Sequence, residues 1–120
     1  MTAREATEDR QAIADIASSA ERVRIVCLGL SALDQVWRVD QFFSGQSEKI
    51  RSLDYSTLGG GMAANAAVTG ARLGGSIAFW GRAGDDAAGR EMRSALASEG
   101  IDVANFRLFP DGRSSVSGII

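Results

Sequence analysis

The sequence predicts an α/β fold with a small β appendage, and three observations predict it. Residues 23–30, VRIVCLGL, form a nearly continuous β-branched run of the kind buried on both faces of a parallel sheet. Three glycines at 59–61 open an Ala-rich stretch with helical character, and a second apolar strand, SIAFWG, follows it. Between these, residues 35–55 mix polar and apolar side chains as short, half-exposed strands do.

The elements follow in order. Residues 1–22 are rich in Ala, Glu, Arg and Ser, with Ile13, Ile16, Ala17 and Ala20 spaced as a thin helical stripe; they read as an N-terminal extension with at most a loose helix. Folded structure is expected from Val23, with Ser31 to Asp34 leaving the carboxyl end of the first strand. Two strands within 35–55 are expected to join through a turn at 44–47. The helix MAANAAVTGARL ends at Leu73, with Gly74 as its C-terminal glycine. The strand at 76–81 comes next, and then a helix capped by Asp86, with Met92, Leu96 and the stem of Arg93 at helical spacing and Gly100 at its end. NFRLFP and RSSVSGII flank Asp111-Gly112, a strong hairpin signal, so residues 104–120 are expected to complete the appendage with 35–55. Trp37 and Trp80 read as appendage and core packing, and Cys27 as a buried small hydrophobe.

Composition narrows the function. The 120 residues are 45% hydrophobic and 23% charged, the balance of a globular chain of about one domain on a prior of ~100–200 residues. With no histidine and one cysteine, zinc sites, histidine bases and internal disulfides are excluded. A net charge of −2 offers no basic field for nucleic acid or an anionic membrane. No apolar run approaches the ~20 residues of a membrane span, and the acidic N-terminus is not a secretory or mitochondrial leader, so a cytoplasmic location is expected.

The glycine-led helix presents bare backbone N–H groups at its positive dipole end. Two chemistries compete for that surface. GGGMAA fits the dinucleotide pattern G-x-G-x-x-A, but the preceding SLDYSTL reads as polar turn rather than buried strand. The strand after the helix carries Arg82, which suits a 2′-phosphate, so an NADP-binding domain is one alternative. A neutral polyol is the other. Gly60 and Gly61 would donate to hydroxyls, and Asn65 supplies both a donor and an acceptor one turn on. Asp34, at a strand's carboxyl end, would accept from two adjacent hydroxyls.

GGMAANAAVTGARLGGSIAFWGRAG resembles the N-terminal signature of the PfkB/ribokinase family of carbohydrate kinases, through Gly60, Gly61, Asn65, Ala67, Gly74 and Gly84. CLGLSALD, the G-x-D-x-x-G run at Gly84, Asp86 and Gly89, EGID and SSVSGII agree with it, so the likeness runs from about Val23 to Ile120. The glycine triplet, GRAGDD and SSVS look most like the sulfofructose kinase branch, whereas Asn65 resembles ribokinase.

The resemblance implies a ribokinase-like, Rossmann-type three-layer αβα domain with a small β-sheet lid, the N-terminal portion of which would be residues 23–120. It implies phosphorylation of a sugar hydroxyl by ATP with Mg2+, whose sites would lie outside this chain together with the catalytic base. Asp34, Gly60, Gly61 and Asn65 would hold the sugar, Ser117 and Ile119 would face it from the lid, and Lys49, the only lysine, would reach its distal end. A homodimer through the lid sheet is implied as well. This segment alone is expected to be catalytically silent. A non-catalytic sugar-binding or degenerate kinase module is the alternative of a different class.

Overall fold

A computed structural model describes residues 2–20, 24–45 and 49–120. Helix α1 (Ala3–Ala20) opens the chain. It is longer and more regular than a loose extension, and its Ile13 is two-thirds exposed; the side chains of Ile16, Ala17 and Ala20 lie outside the described residues. Val23 and part of the expected 44–47 turn also fall outside them.

Two three-stranded sheets follow. In the first, β1 (Arg24–Leu28), β4 (Ser76–Gly84) and β5 (Phe106–Phe109) lie in the order β1-β4-β5, all parallel. In the second, β2 (Ala32–Arg38) is central, antiparallel to β3 (Asp54–Gly60) and parallel to β6 (Val116–Ile119). Helices α2 (Met62–Arg72) and α3 (Ala87–Ser98) cover one face of the first sheet.

The core forms there. Ile77, Phe79, Ala83 and Phe106 from the sheet meet Ala64, Ala67, Met92 and Leu96 from the helices. Phe79 and Phe106 pack edge to face, with centroids 5.1 Å apart, a geometry that adds roughly 0.5–1.5 kcal/mol beyond area burial. Cys27 is half-buried against this cluster.

Four expectations change. β1 is not buried on both faces: Leu28 is 74% exposed, because β1 is an edge strand and the side of the sheet bearing Val26, Leu28 and Trp80 has no helix over it among the described residues. Trp80 is therefore surface rather than core. The polar run DYSTLGG is strand β3 rather than a turn; it is the exposed edge partner of β2, where polar outward positions are tolerated. Asp111-Gly112 makes no hairpin. Gly112 N–H closes a turn on Phe109 C=O at 3.0 Å, but the flanking strands part, β5 to the first sheet and β6 to the second.

The helix ends behave as their sequence dictates. Gly74 and Gly100 take left-handed φ values of 88° and 78° just past α2 and α3. Arg72 in the last turn of α2 makes a two-pronged pair with Glu99 at the end of α3, at 2.9 and 2.5 Å. Among the described residues no helix is long and apolar enough to cross a membrane.

Candidate functional site

The second sheet gathers most of the expected residues. Asp34 is paired in register with Leu58 on one side and Ser117 on the other, and Val36 with Ser56 and Ile119. Because side chains alternate along a strand, Asp34, Leu58, Ser117 and Ile119 share one face. Asp34 is half-buried, and its carboxylate has no hydrogen bond or ion pair among the described residues. A half-buried carboxylate with no protein partner is left open to solvent or to a ligand.

Gly60 and Gly61 border it, each for a different steric reason. A Cβ on Gly60 would stand 2.9 Å from Asp34 Cγ and closer still to Oδ2, so the missing side chain is what admits the carboxylate. Gly61 has φ +95° and caps α2 without a side chain, while a Cβ there would collide with the Leu30 carbonyl. The β3–α2 junction therefore packs backbone on backbone. Leu30 C=O accepts from Ala64 N–H at 3.3 Å, and Asn65 N–H donates to Gly61 C=O at 2.9 Å.

Asn65, one turn into α2, is exposed, and its side-chain amide has no partner among the described residues. It lines a cavity of about 430 Å3 between α2, α3 and β3, together with Thr57, Gly59, Val68 and Glu91; Asp34 does not line it. Lys49 lies in irregular chain ahead of β3, exposed, and no hydrogen bond or ion pair brings it to Asp34. Arg82 stacks over Phe109, 4.7 Å from the ring centroid. Leu58 escaped the sequence reading because its strand looked like a turn.

The dinucleotide alternative meets a topological obstacle. β3, which leads into α2, runs antiparallel in the second sheet, whereas that fingerprint needs a parallel strand feeding the helix.

Asp86 caps α3 as expected, accepting from Gly89 N–H at 2.8 Å, and it also accepts the Ser114 hydroxyl and amide at 2.6 and 3.0 Å. The two Ser114 bonds, then the Gly89 amide, hold its carboxyl down at about 2. That lies below the ~3.9 of an unfolded chain, so its stabilisation is full above about pH 4 and is lost as pH falls through about 2. Thermal melts should accordingly show the advantage of wild type over Asp86→Ala shrinking between pH 4 and pH 2. An advantage unchanged at pH 2 would remove the carboxylate as its source.

The model of the pfkB family carbohydrate kinases matches residues 22–120. The chain belongs to that family. Its α/β architecture is the ribokinase-like fold of its structural neighbours. A ribokinase of Haemophilus influenzae is 37% identical over 84 residues, 70% of this chain and 27% of the relative. Aminoimidazole riboside kinase from Salmonella enterica, solved with aminoimidazole riboside and an ATP analogue, superposes with a TM-score of 0.64 at 35% identity, over 80% of this chain and 28% of that one. Fructokinase from Vibrio cholerae O395, in its fructose, ADP and calcium ion bound form, gives 0.63 at 32% identity, over 81% and 28%. The pfkB chain described here thus spans roughly a quarter of the length of such relatives. None of these three is a sulfofructose kinase.

Proposed function

We propose that this chain is the sugar-binding portion of an ATP-dependent carbohydrate kinase that phosphorylates a sugar hydroxyl. The observation that carries the reading is the unpaired Asp34 carboxylate, seated against Gly60 on the same sheet face as Ser117 and Ile119. A carboxylate accepts from two vicinal hydroxyls, and an amide such as that of Asn65 matches a hydroxyl that is both donor and acceptor. Ser117 adds a third polar group, and Leu58 and Ile119 offer apolar surface to the sugar's C–H face. The second sheet is the lid in this reading, and its exposed edges are where a homodimer would pair. Lys49 is assigned to the distal end of the sugar. The location is the cytoplasm.

Phosphoryl transfer needs positioned anion donors, magnesium and a residue to orient the attacking hydroxyl. Among the described residues no group of three or more His, Cys, Asp or Glu side chains is placed to hold a metal. In this proposal ATP and Mg2+ are held by parts of the protein outside this chain, and this segment alone is silent.

ATP turnover by the whole protein across a panel of pentoses, hexoses and ribosides tests the reading, and a protein that turns over none of them overturns it. Within that assay, Asn65→Ala should raise the KM for the sugar about tenfold, the effect of one lost hydrogen bond with its partner left unpaired. Full activity at unchanged KM would take Asn65 out of the site.

A further inference from the structure

The G-x-D-x-x-G run at 84–89 has no part in the sugar site proposed above, yet the chain closes tightly around it. A Cβ on Gly84, at the end of β4, would collide with the Gly112 carbonyl and stand 2.8 Å from Asp86 Oδ2. A Cβ on Gly89 would collide with the Gly84 carbonyl and stand 2.8 Å from Ser114 Oγ. Bare backbone at these positions lets the end of β4, the start of α3 and the approach to β6 meet.

Asp86 does two things inside this closure. Its Oδ1 caps α3 through Gly89 N–H, and both of its oxygens take the donors of Ser114. Ser114 has one hydroxyl proton, and the carboxylate at 2.6 Å outcompetes the Gly84 carbonyl at 3.3 Å. The same Oγ then accepts from Gly84 N–H at 3.1 Å. Strand β6 begins two residues later.

We propose that Asp86 and Ser114 form a latch that fixes β6 on β2, making Asp86 a positioning residue for Ser117 and Ile119 beside Asp34. The latch stands on geometry; what the two β6 side chains contact rests on the kinase reading above. β6 is four residues long and, among the described residues, pairs with β2 alone. Beyond that ladder, Leu33 N–H donates to Ser115 C=O at 2.9 Å. A short edge strand with so few bonds opens readily unless its entry is held. Ser114 precedes Ser117 by three positions, about 10 Å of extended chain, so a displacement at the latch reaches the site directly.

Asp86→Asn separates capping from latching. Asparagine caps helices about as well as aspartate, but its single oxygen cannot serve Gly89 and both Ser114 donors. Ser114→Ala removes the hydroxyl and leaves the cap alone. In each variant, amide exchange at 116–119 should accelerate about tenfold while exchange in β4 stays unchanged. In the whole protein the KM for the sugar should rise about tenfold, with kcat within about twofold and the double variant no worse than either single. Unchanged exchange in both variants overturns the latch. Faster exchange at an unchanged KM overturns its link to the site. A wild-type protein that turns over no sugar sinks the kinase reading, and the exchange experiment then decides the latch by itself.

Discussion

Asp34→Ala is expected to lower kcat/KM for the sugar by about 10²-fold or more without destabilising the fold. The magnitude follows from hydrogen bonds to a charged acceptor, about 1.5–3 kcal/mol each, of which two vicinal hydroxyls would supply a pair. One tenfold step corresponds to about 1.4 kcal/mol, so even the lower end gives a hundredfold loss. The absence of a stability cost is the more discriminating half. The carboxylate is half-buried and makes no hydrogen bond or ion pair among the described residues, so its removal breaks no polar contact of the fold. The thermal midpoint should hold. Asp34→Asn keeps the shape with one accepting oxygen and should fall between wild type and Ala in activity. A lowered midpoint with kcat/KM preserved would show instead that Asp34 serves the fold.

How far these features were legible in the sequence depends on whether they are set locally. Helices α2 and α3 were readable because glycines punctuate them, and because Asp86 caps α3 by a bond to Gly89 three residues away. The strand character of β1 was readable in its β-branched residues, but its burial was not, since exposure of Leu28 depends on what covers the sheet. β3 was misread because DYSTLGG is polar, and an edge strand bonded to one neighbour does not need an apolar outer face. Asp111-Gly112 signalled a reversal correctly. Turn chemistry fixes where the chain bends, not which strand each arm joins, and here β5 and β6 enter different sheets.

The site divides in the same way. Asp34, Gly60, Gly61 and Asn65 stood out through residue type and spacing together with the family resemblance. Leu58 and Ser114 did not, because each matters only through a partner distant in sequence. Leu58 sits opposite Asp34 across a strand pair, and Ser114 bonds to Asp86 28 positions away.

Gly61→Ala is expected to cost about 2–4 kcal/mol of stability, whereas Gly60→Ala, one residue earlier, should leave stability within about 1 kcal/mol. At Gly61 the backbone has φ +95° and ψ 133°, a region that L side chains rarely adopt. The new methyl would also collide with the Leu30 carbonyl and stand 2.9 Å from Ser31 Cα. Those are backbone atoms of the β1–β2 connection, and the same Leu30 carbonyl accepts from Ala64 in α2. Relief of the clash would therefore move a strand connection and a helix anchor together. At Gly60 the atoms nearest the methyl are those of the Asp34 carboxyl, the end of a side chain that swings aside at little cost to the fold. The displaced carboxylate is the one proposed to bind the sugar. Gly60→Ala should thus approach Asp34→Ala in lost kcat/KM while melting like wild type, and Gly61→Ala should unfold at lower denaturant. Denaturant titration of both variants beside sugar kinetics decides the matter: the opposite pattern, with Gly60→Ala unfolding early at full activity, would show that the junction serves the fold at Gly60 and not the site.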